Sequence, residues 1–435
     1  MPRGQMPRQR ADFYMNDEVL PVELPTIVAG SFRPFDDDVR LTLRPLTLLY
    51  GHNQSGKSAL LRLLPLLADS LVGGNGPLAI NSAALRGASF KELPYRGRGP
   101  NNQVRIGLET SEATGASLQL DIDLSSAEPF VNRFSLELHD GSNKWYGALV
   151  DLPTRGRGES PTYEGQLGGT PWTGACSFAG LLPKYEGIPK AFSRALAALE
   201  VSLAPLRGLQ WLQAQRMPLL PAGAKRATKF RSDGSDLADL LHQQRKVLKL
   251  ASDWLFELTG DRLQTRENSN GQTEFQMVRP SGASVGIEGM GEGIRGLIPV
   301  IGAVALAELG TDRPTMLAIE EPEANLHPHF HVAIADKLIA VAAKGLPVVV
   351  ETHSVYFLLA LQKALLEGRI AVEQVGVHWL EQTGVGSPKL KVIQVAPDGT
   401  MQGLPVGTFR TDRELTEEIM NLRWTQYDAE SAPCS

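Results

Sequence analysis

The chain has 435 residues, 42% of them hydrophobic and 21% charged, and its 43 basic and 48 acidic side chains give a net charge of -5. That length allows two or three domain-sized units with substantial cores, and that charge excludes a uniformly basic nucleic-acid binder while permitting a local basic face. The only cysteines, Cys176 and Cys434, lie far apart, which excludes a disulfide framework or a cysteine-ligated metal cluster.

In chain order, residues 1–20 read as a polar, basic leader without the apolar core of a secretory signal. Short strands are predicted over 26–28, 39–43 and 46–50, with Asp36-Asp37-Asp38 turning between the first two. The third strand runs into Gly51-His52-Asn53-Gln54-Ser55-Gly56-Lys57-Ser58. Beyond it, Leu60, Leu61, Leu63, Leu64, Leu66 and Leu67 predict a buried helix, kinked or stopped at Pro65. Residues 104–109, 117–124, 133–139 and 144–151 alternate apolar with polar, as antiparallel strands with one wet face do. Residues 152–173, rich in Gly, Pro and Arg, read as a long loop. A helical pattern over 184–203 precedes a short strand, 209–214, that ends at Gln215-Arg216. One long amphipathic helix is predicted over 235–260, N-capped by Ser235, with a stripe running from Leu237 through Trp254 to Leu258. A strand at 275–278 and a glycine cluster at 289–296 lead to an apolar helix over 297–309. The uncharged stretch 296–307 is too short to span a bilayer, so a cytoplasmic location is expected. Buried strands at 316–319 and 347–350 enclose a helix at 329–343, the alternation of a parallel sheet. Residues 375–381 and 390–395 read as final strands.

The chemistry concentrates in four motifs. Gly51 to Ser58 spells G-x-x-x-x-G-K-S between a strand and a helix, the context a P-loop requires. Backbone N–H groups from Asn53, Gln54, Ser55, Gly56, Lys57, Ser58 and Ala59 are placed to surround phosphate oxygens at a helix N-terminus. Lys57 supplies charge to the β- and γ-phosphates, and Ser58 a hydroxyl to Mg²⁺. Second, the apolar strand Leu317-Ala318-Ile319 delivers Glu320 and Glu321 at its C-terminal end, where parallel sheets bind ligands. Glu320 suits the Mg²⁺ shell, and Glu321 suits polarisation of the attacking water. Third, Val350-Glu351-Thr352-His353-Ser354 ends the next strand, with His353 in reach of a γ-phosphate. Fourth, Gly291-Glu292-Gly293-Ile294-Arg295 opens a helix with a glycine-rich anion site, which in a dimer would cap the γ-phosphate held by the other subunit.

These motifs, in this order, resemble the ATP-binding-cassette ATPases, and most closely the RecF/SMC/OLD-like group of stand-alone bacterial ATPases. Glu320-Glu321-Pro322-Glu323-Ala324-Asn325-Leu326-His327-Pro328 is close to that group's E-E-P-E-x-H-L-H-P, and Gly291 to Arg295 resembles its G-E-G-x-R signature. The resemblance covers roughly residues 22–410. It implies an α/β P-loop NTPase fold: a mostly parallel core sheet flanked by helices, with an antiparallel β subdomain and a helical lobe. It implies a leader at 1–20 and a head at 21–410, divided into an antiparallel region near 100–151, a signature lobe near 180–310 and a core at 311–385. A C-terminal helix and tail would occupy 411–435. It further implies a head that dimerises around two ATP molecules and hydrolyses them, with Lys57, Ser58, Glu320, Glu321 and His353 acting in cis. Gly291, Glu292, Gly293 and Arg295 and the loop at 322–326 would act across the interface. Asn325 stands where the group has histidine, and the transporter-type serine is absent, so the trans contact would use arginine charge. Gln103, Gln213 and Gln215 are all candidates for the Q-loop glutamine.

His327 and His331 share the spacing of a metal pair, but the phosphate-site reading of this stretch accounts for them better. Arg96-Gly97-Arg98-Gly99, Arg155-Gly156-Arg157-Gly158 and the run Lys225, Arg226, Lys229, Arg231 are either contacts for a nucleic-acid backbone or solvated loops that balance acidic surface. About 80 residues follow the histidine motif without an acidic triad, so no fused Toprim nuclease is expected. The expected function is the ATP-driven switch of a prokaryotic anti-phage or DNA-maintenance system, acting on a separate effector and sensing double-stranded DNA, with no membrane role. A nucleotide-dependent protein clamp without a DNA role, and a transporter ATPase, are the alternatives.

Overall fold

The computed structural model describes residues 23–405 except 73–75, 88, 98–101, 111–114, 127, 140–143, 152–159, 179, 217–229 and 383–385. The predicted leader, the C-terminal tail, the Arg155–Gly158 loop and Lys225, Arg226 and Lys229 lie outside the described residues. The chain opens with β1 (Thr26–Gly30), β2 (Val39–Thr42) and β3 (Leu46–Gly51), and β3 passes through the glycine loop into α1 (Lys57–Leu71). Next come β4 (Gln103–Glu109), β5 (Ala116–Asp123), β6 (Phe130–Leu138), β7 (Lys144–Asp151), β8 (Thr162–Leu167) and β9 (Thr170–Ala175). The helix α2 (Lys190–Arg207) leads to β10 (Leu209–Leu212), then α3 (Leu237–Gln243) and α4 (Arg245–Thr259). β11 (Arg262–Glu267), β12 (Thr273–Val278) and β13 (Ser284–Gly286) precede α5 (Glu292–Leu309) and β14 (Met316–Glu320). The remainder is α6 (Pro328–Ala343), β15 (Val348–Glu351), α7 (Val355–Leu366), β16 (Val375–Glu381), β17 (Lys389–Val395) and β18 (Met401–Gln402).

The expectation of a mostly parallel core is corrected by the sheets. The largest is an eight-stranded antiparallel sheet, ordered β2-β1-β4-β5-β6-β7-β8-β9. Among the described residues, parallel pairing is confined to β10, β14, β15, β3 and β16 of a seven-stranded sheet, which β17 and β18 extend antiparallel. β1 and β2, though next to β3 in the chain, belong to the antiparallel sheet: β1 pairs with β4, and β2 pairs with β1, rather than with the P-loop strand. A small third sheet is formed by β11, β12 and β13.

The parallel strands are apolar because both their faces are covered. Leu46, Leu48, Leu317, Ile319, Val348 and Val350 join the core that α3 to α7 complete. Leu49, Met316, Ala318 and Val349 face the second core, shared by α1, α2 and the antiparallel sheet. The alternation carries to the strand ends: Glu320 and Glu351 continue the rows that face α1.

Three local expectations change. The loop predicted over 152–173 contains the β8–β9 hairpin, turned by Gly168 and Gly169 at φ 60 and 82, which lengthens the antiparallel region to Ala175. Tyr163 and Trp172 of that hairpin are buried and pack edge-on against Phe134. The helix predicted over 235–260 is broken at Gln244 (φ -118, ψ 74) into α3 and α4, and α3 is N-capped by Asp236 rather than Ser235. Helix α1 runs through Pro65 to Leu71 instead of stopping there.

Candidate functional site

The site is built where β3, β14 and β15 end against the start of α1. Gly51 and Gly56 have φ of 148 and 92, a conformation that favours glycine. A Cβ at Gly51 would sit 2.3 Å from the Leu380 carbonyl oxygen, and one at Gly56 would sit 2.7 Å from Pro34 Cγ. The loop between them delivers Lys57 and Ser58 as the first residues of α1. Lys57 is buried and donates through Nζ to the carbonyls of Gly51 and His52 at 3.0 and 2.9 Å. Burial lowers its pKa, against the pull of Glu351 and Glu321. Asn53 and Gln54 are exposed, and Ser55 is buried with an unpartnered hydroxyl.

Two carboxylates stand side by side in register, Glu320 on β14 and Glu351 on β15. Each meets a different residue of α1. Arg62 grips Glu320 with Nε at 2.7 Å from Oε1 and Nη2 at 2.6 Å from Oε2. Trp211 Nε1 and the Ala214 N–H donate to the same carboxylate at 3.0 and 3.3 Å. One turn earlier on α1, Ser58 Oγ donates to Glu351 Oε1 at 2.6 Å. Burial, with Glu320 and Glu321 nearby, raises the Glu351 carboxyl to about 7 although Ser58 and Lys57 oppose it. Glu320, expected in the Mg²⁺ shell, therefore has both oxygens committed to protein donors.

Glu321 turns out of the strand at φ 41, a conformation rare outside glycine. Its N–H donates to the Glu351 carbonyl at 2.8 Å, and its carboxylate lies 3.9 Å from His353 Nε2. Burial, then Lys57, lowers the His353 pKa, so the ring is neutral at pH 7. Glu323 fixes the end of β15 by accepting from Thr352 Oγ1 at 2.6 Å and the His353 N–H at 2.8 Å. His331 bonds Ser354 Oγ and the Leu326 carbonyl at 2.9 and 3.0 Å, and His327 caps α6, so both histidines have structural work.

Gly291 is the N-cap of α5, with Glu292 in its first turn, and Arg295 is half-buried. Among the described residues, no hydrogen bond or ion pair joins Gly291–Arg295 to the P-loop. The link from this helix runs to the acidic turn instead. Arg216 donates from Nη1 to the Gly296 carbonyl at 3.3 Å and from Nη2 to the carbonyls of Glu320 and Glu321. Burial lowers its pKa to about 10, so it stays cationic at pH 7. Of the glutamine candidates, Gln103 lies in β4, and Gln215 accepts from Arg86 at 3.2 Å.

The sequence reading assigned no role to Glu351 or Arg62. A signal existed for Glu351: like Glu320, it is a carboxylate ending an otherwise apolar strand. Arg62 lies one turn past Ser58 on α1, a spacing that puts both on one helix face.

Residues 223–358 match the family model described as AAA ATPase domain. That span carries α5, the acidic turn and the histidine motif, and the glycine loop of residues 51–58 precedes it. The matched span is that of an ATPase domain. No curated protein matches it. Among solved structures, it is similar to a SmcHead bound to the C-winged helix domain of ScpA, at 12% identity and TM-score 0.48 over 86% of this chain and 98% of that one. It is similar to the SMC head domain from Thermotoga maritima, at 11% identity and TM-score 0.37 over 86% and 99%. It is also similar to the Smc head domain bound to the C-terminal domain of ScpA derived from Pyrococcus furiosus, at 11% identity and TM-score 0.45 over 91% and 100%. Among the described residues, no helix is long and apolar enough to cross a membrane.

Proposed function

We propose that this ATPase is a nucleotide-driven switch whose head pairs with a second copy around ATP and separates after hydrolysis. The observation that carries the reading is the convergence of Lys57, Ser58, Glu321 and His353 at the ends of three adjacent parallel strands. Backbone N–H groups of the loop through Ala59 and the N-terminus of α1 bind the phosphates. Lys57 leaves its carbonyl partners for the β- and γ-phosphates and offsets charge there. Ser58 offers its hydroxyl to the divalent cation that accompanies ATP. Glu321 orients the attacking water and accepts its proton, with neutral His353 beside it as the γ-phosphate contact. Gly291, Glu292, Gly293 and Arg295 reach the nucleotide of the partner copy. Following the family resemblance, the output is control of a separate effector protein in a prokaryotic defence or DNA-maintenance system, with double-stranded DNA as the trigger.

The test is ATP turnover by wild type and Glu321→Gln, each with and without double-stranded DNA. The expected result is wild-type turnover accelerated by DNA and a variant that binds ATP but does not turn it over. Turnover indifferent to DNA favours a protein clamp without a DNA role. A variant as active as wild type removes Glu321 from its assigned place.

A further inference from the structure

The cation that travels with ATP takes hard oxygen ligands and is commonly held by one or two carboxylates beside the phosphates. Glu320 has no oxygen to give. A carboxylate offers about four lone-pair sites, and four donors occupy them: Arg62 Nε and Nη2, Trp211 Nε1 and the Ala214 N–H. Glu351, its in-register neighbour, is different. It is 2% exposed, its Oε1 accepts only the Ser58 hydroxyl, and its Oε2 is buried with no hydrogen-bond partner. Among the described residues no cation pairs with it, because Lys57 points its Nζ at two backbone carbonyls. An orphaned oxygen on a buried carboxylate calls for an explanation, and a bound ion supplies one. The surroundings fit a metal: ligand atoms of Glu321, Glu351 and His353 lie within 4.8 Å of one another.

We propose that Glu351, not Glu320, is the carboxylate ligand of the nucleotide's divalent cation, paired with the Ser58 hydroxyl. The assignment rests on the ATP reading given above. Ser58 is well prepared for it. By donating its proton to Glu351 Oε1, it keeps both oxygen lone pairs for a cation. An oxygen-only pair selects Mg²⁺ or Mn²⁺ over softer metals. The two carboxylates then divide the labour of one strand-end row. Glu351 binds metal, while Glu320 locks α1 to the sheet through Arg62, one turn from Ser58.

Mn²⁺ is the probe, titrated into full-length protein with a non-hydrolysable ATP analogue and followed by the EPR signal of free Mn²⁺. Binding of the analogue is first measured in EDTA. Glu351→Gln keeps an acceptor for Ser58 but loses the charge. It should bind the analogue normally in EDTA and bind Mn²⁺ more than about ten-fold more weakly, since even groups one step from a metal change affinity on that scale. The double variant Arg62→Met/Glu320→Gln, which removes the neighbouring pair together, should bind Mn²⁺ as wild type does. Glu351→Cys guards against a mere folding defect. It should shift preference from Mn²⁺ to Cd²⁺ and add a sulfur-to-cadmium absorption band beyond any in wild type, a switch that no structural role produces. Wild-type Mn²⁺ affinity in Glu351→Gln, or a loss confined to the Arg62/Glu320 double variant, overturns the assignment. Wild type that binds no nucleotide under either condition overturns the ATP reading, and this assignment with it.

Discussion

Replacing Arg62 with alanine should destabilise the protein far more than removal of an ordinary half-exposed arginine. Arg62 supplies the two shortest of four hydrogen bonds to Glu320, at 2.7 and 2.6 Å, and Glu320 is fully buried. Exposed ion pairs contribute about 0 to 1 kcal/mol, whereas stripping a buried charge of its partner costs about 3 to 5 kcal/mol. Trp211 Nε1 and the Ala214 N–H survive the truncation, which places the expected loss near the lower bound, about 3 kcal/mol. Equilibrium urea unfolding of nucleotide-free protein at pH 7 measures it. Arg62→Met/Glu320→Gln removes both charges at similar volume and should recover most of the loss, giving a large coupling energy in the double-mutant cycle. A loss below about 1 kcal/mol for Arg62→Ala, the range of exposed pairs, would refute the reasoning. So would a double variant no more stable than the single one.

Glu351 gives the protein a pH signature in metal-free, nucleotide-free buffer. Its folded carboxyl lies at about 7 against an ordinary 4.5, so the stability from its bound proton is whole below pH 4.5 and is lost as pH rises through 7. Thermal or urea unfolding should therefore show Glu351→Gln gaining on wild type by roughly 2 to 3 kcal/mol between pH 5 and pH 8; a constant difference contradicts the burial argument. At the start of α5, Gly293→Ala would place a Cβ 2.4 Å from the Asn325 carbonyl oxygen, while Gly291→Ala meets nothing within 4 Å. The first should lower stability by about 1 to 3 kcal/mol and the second should leave the unfolding midpoint of the nucleotide-free protein in place. Asn325 sits at φ 60, so Asn325→Gly should be nearly neutral and Asn325→Val should cost about 1 to 2 kcal/mol on the same unfolding assay.

What the sequence made legible was local. Gly51 to Ser58 and Glu320-Glu321 announce themselves because each chemical unit is one continuous stretch at the end of an apolar strand. What escaped was either outvoted locally or joined only by folding. Thr162 to Leu167 alternates as a strand should, but the Gly, Pro and Arg around it read as loop, and the reward for the hairpin lies in packing Tyr163 and Trp172 on Phe134. Gln244 carries no helix-breaking chemistry, so nothing local marks the α3–α4 break. The weight of the antiparallel sheet was not legible because β1 finds its partner β4 only beyond α1. Ser58 and Glu351 are 293 positions apart, and Arg62 and Glu320 are 258 apart. The register of β14 against β15 aligns the two carboxylates, and the packing of α1 on those strands brings Ser58 and Arg62 to them.

Arg216 touches three carbonyls that belong to two separate parts of the chain, Gly296 on α5 and Glu320 and Glu321 at the turn after β14. A guanidinium is flat and rigid, so it works as a spacer of fixed dimensions. A sideways displacement of α5 pulls on the same planar group that holds the peptide of Glu321, a residue already kept at φ 41. Lysine, a single point charge on a flexible stem, would let helix and turn drift independently. The position of α5 and the aim of the Glu321 side chain are thus one mechanical variable rather than two.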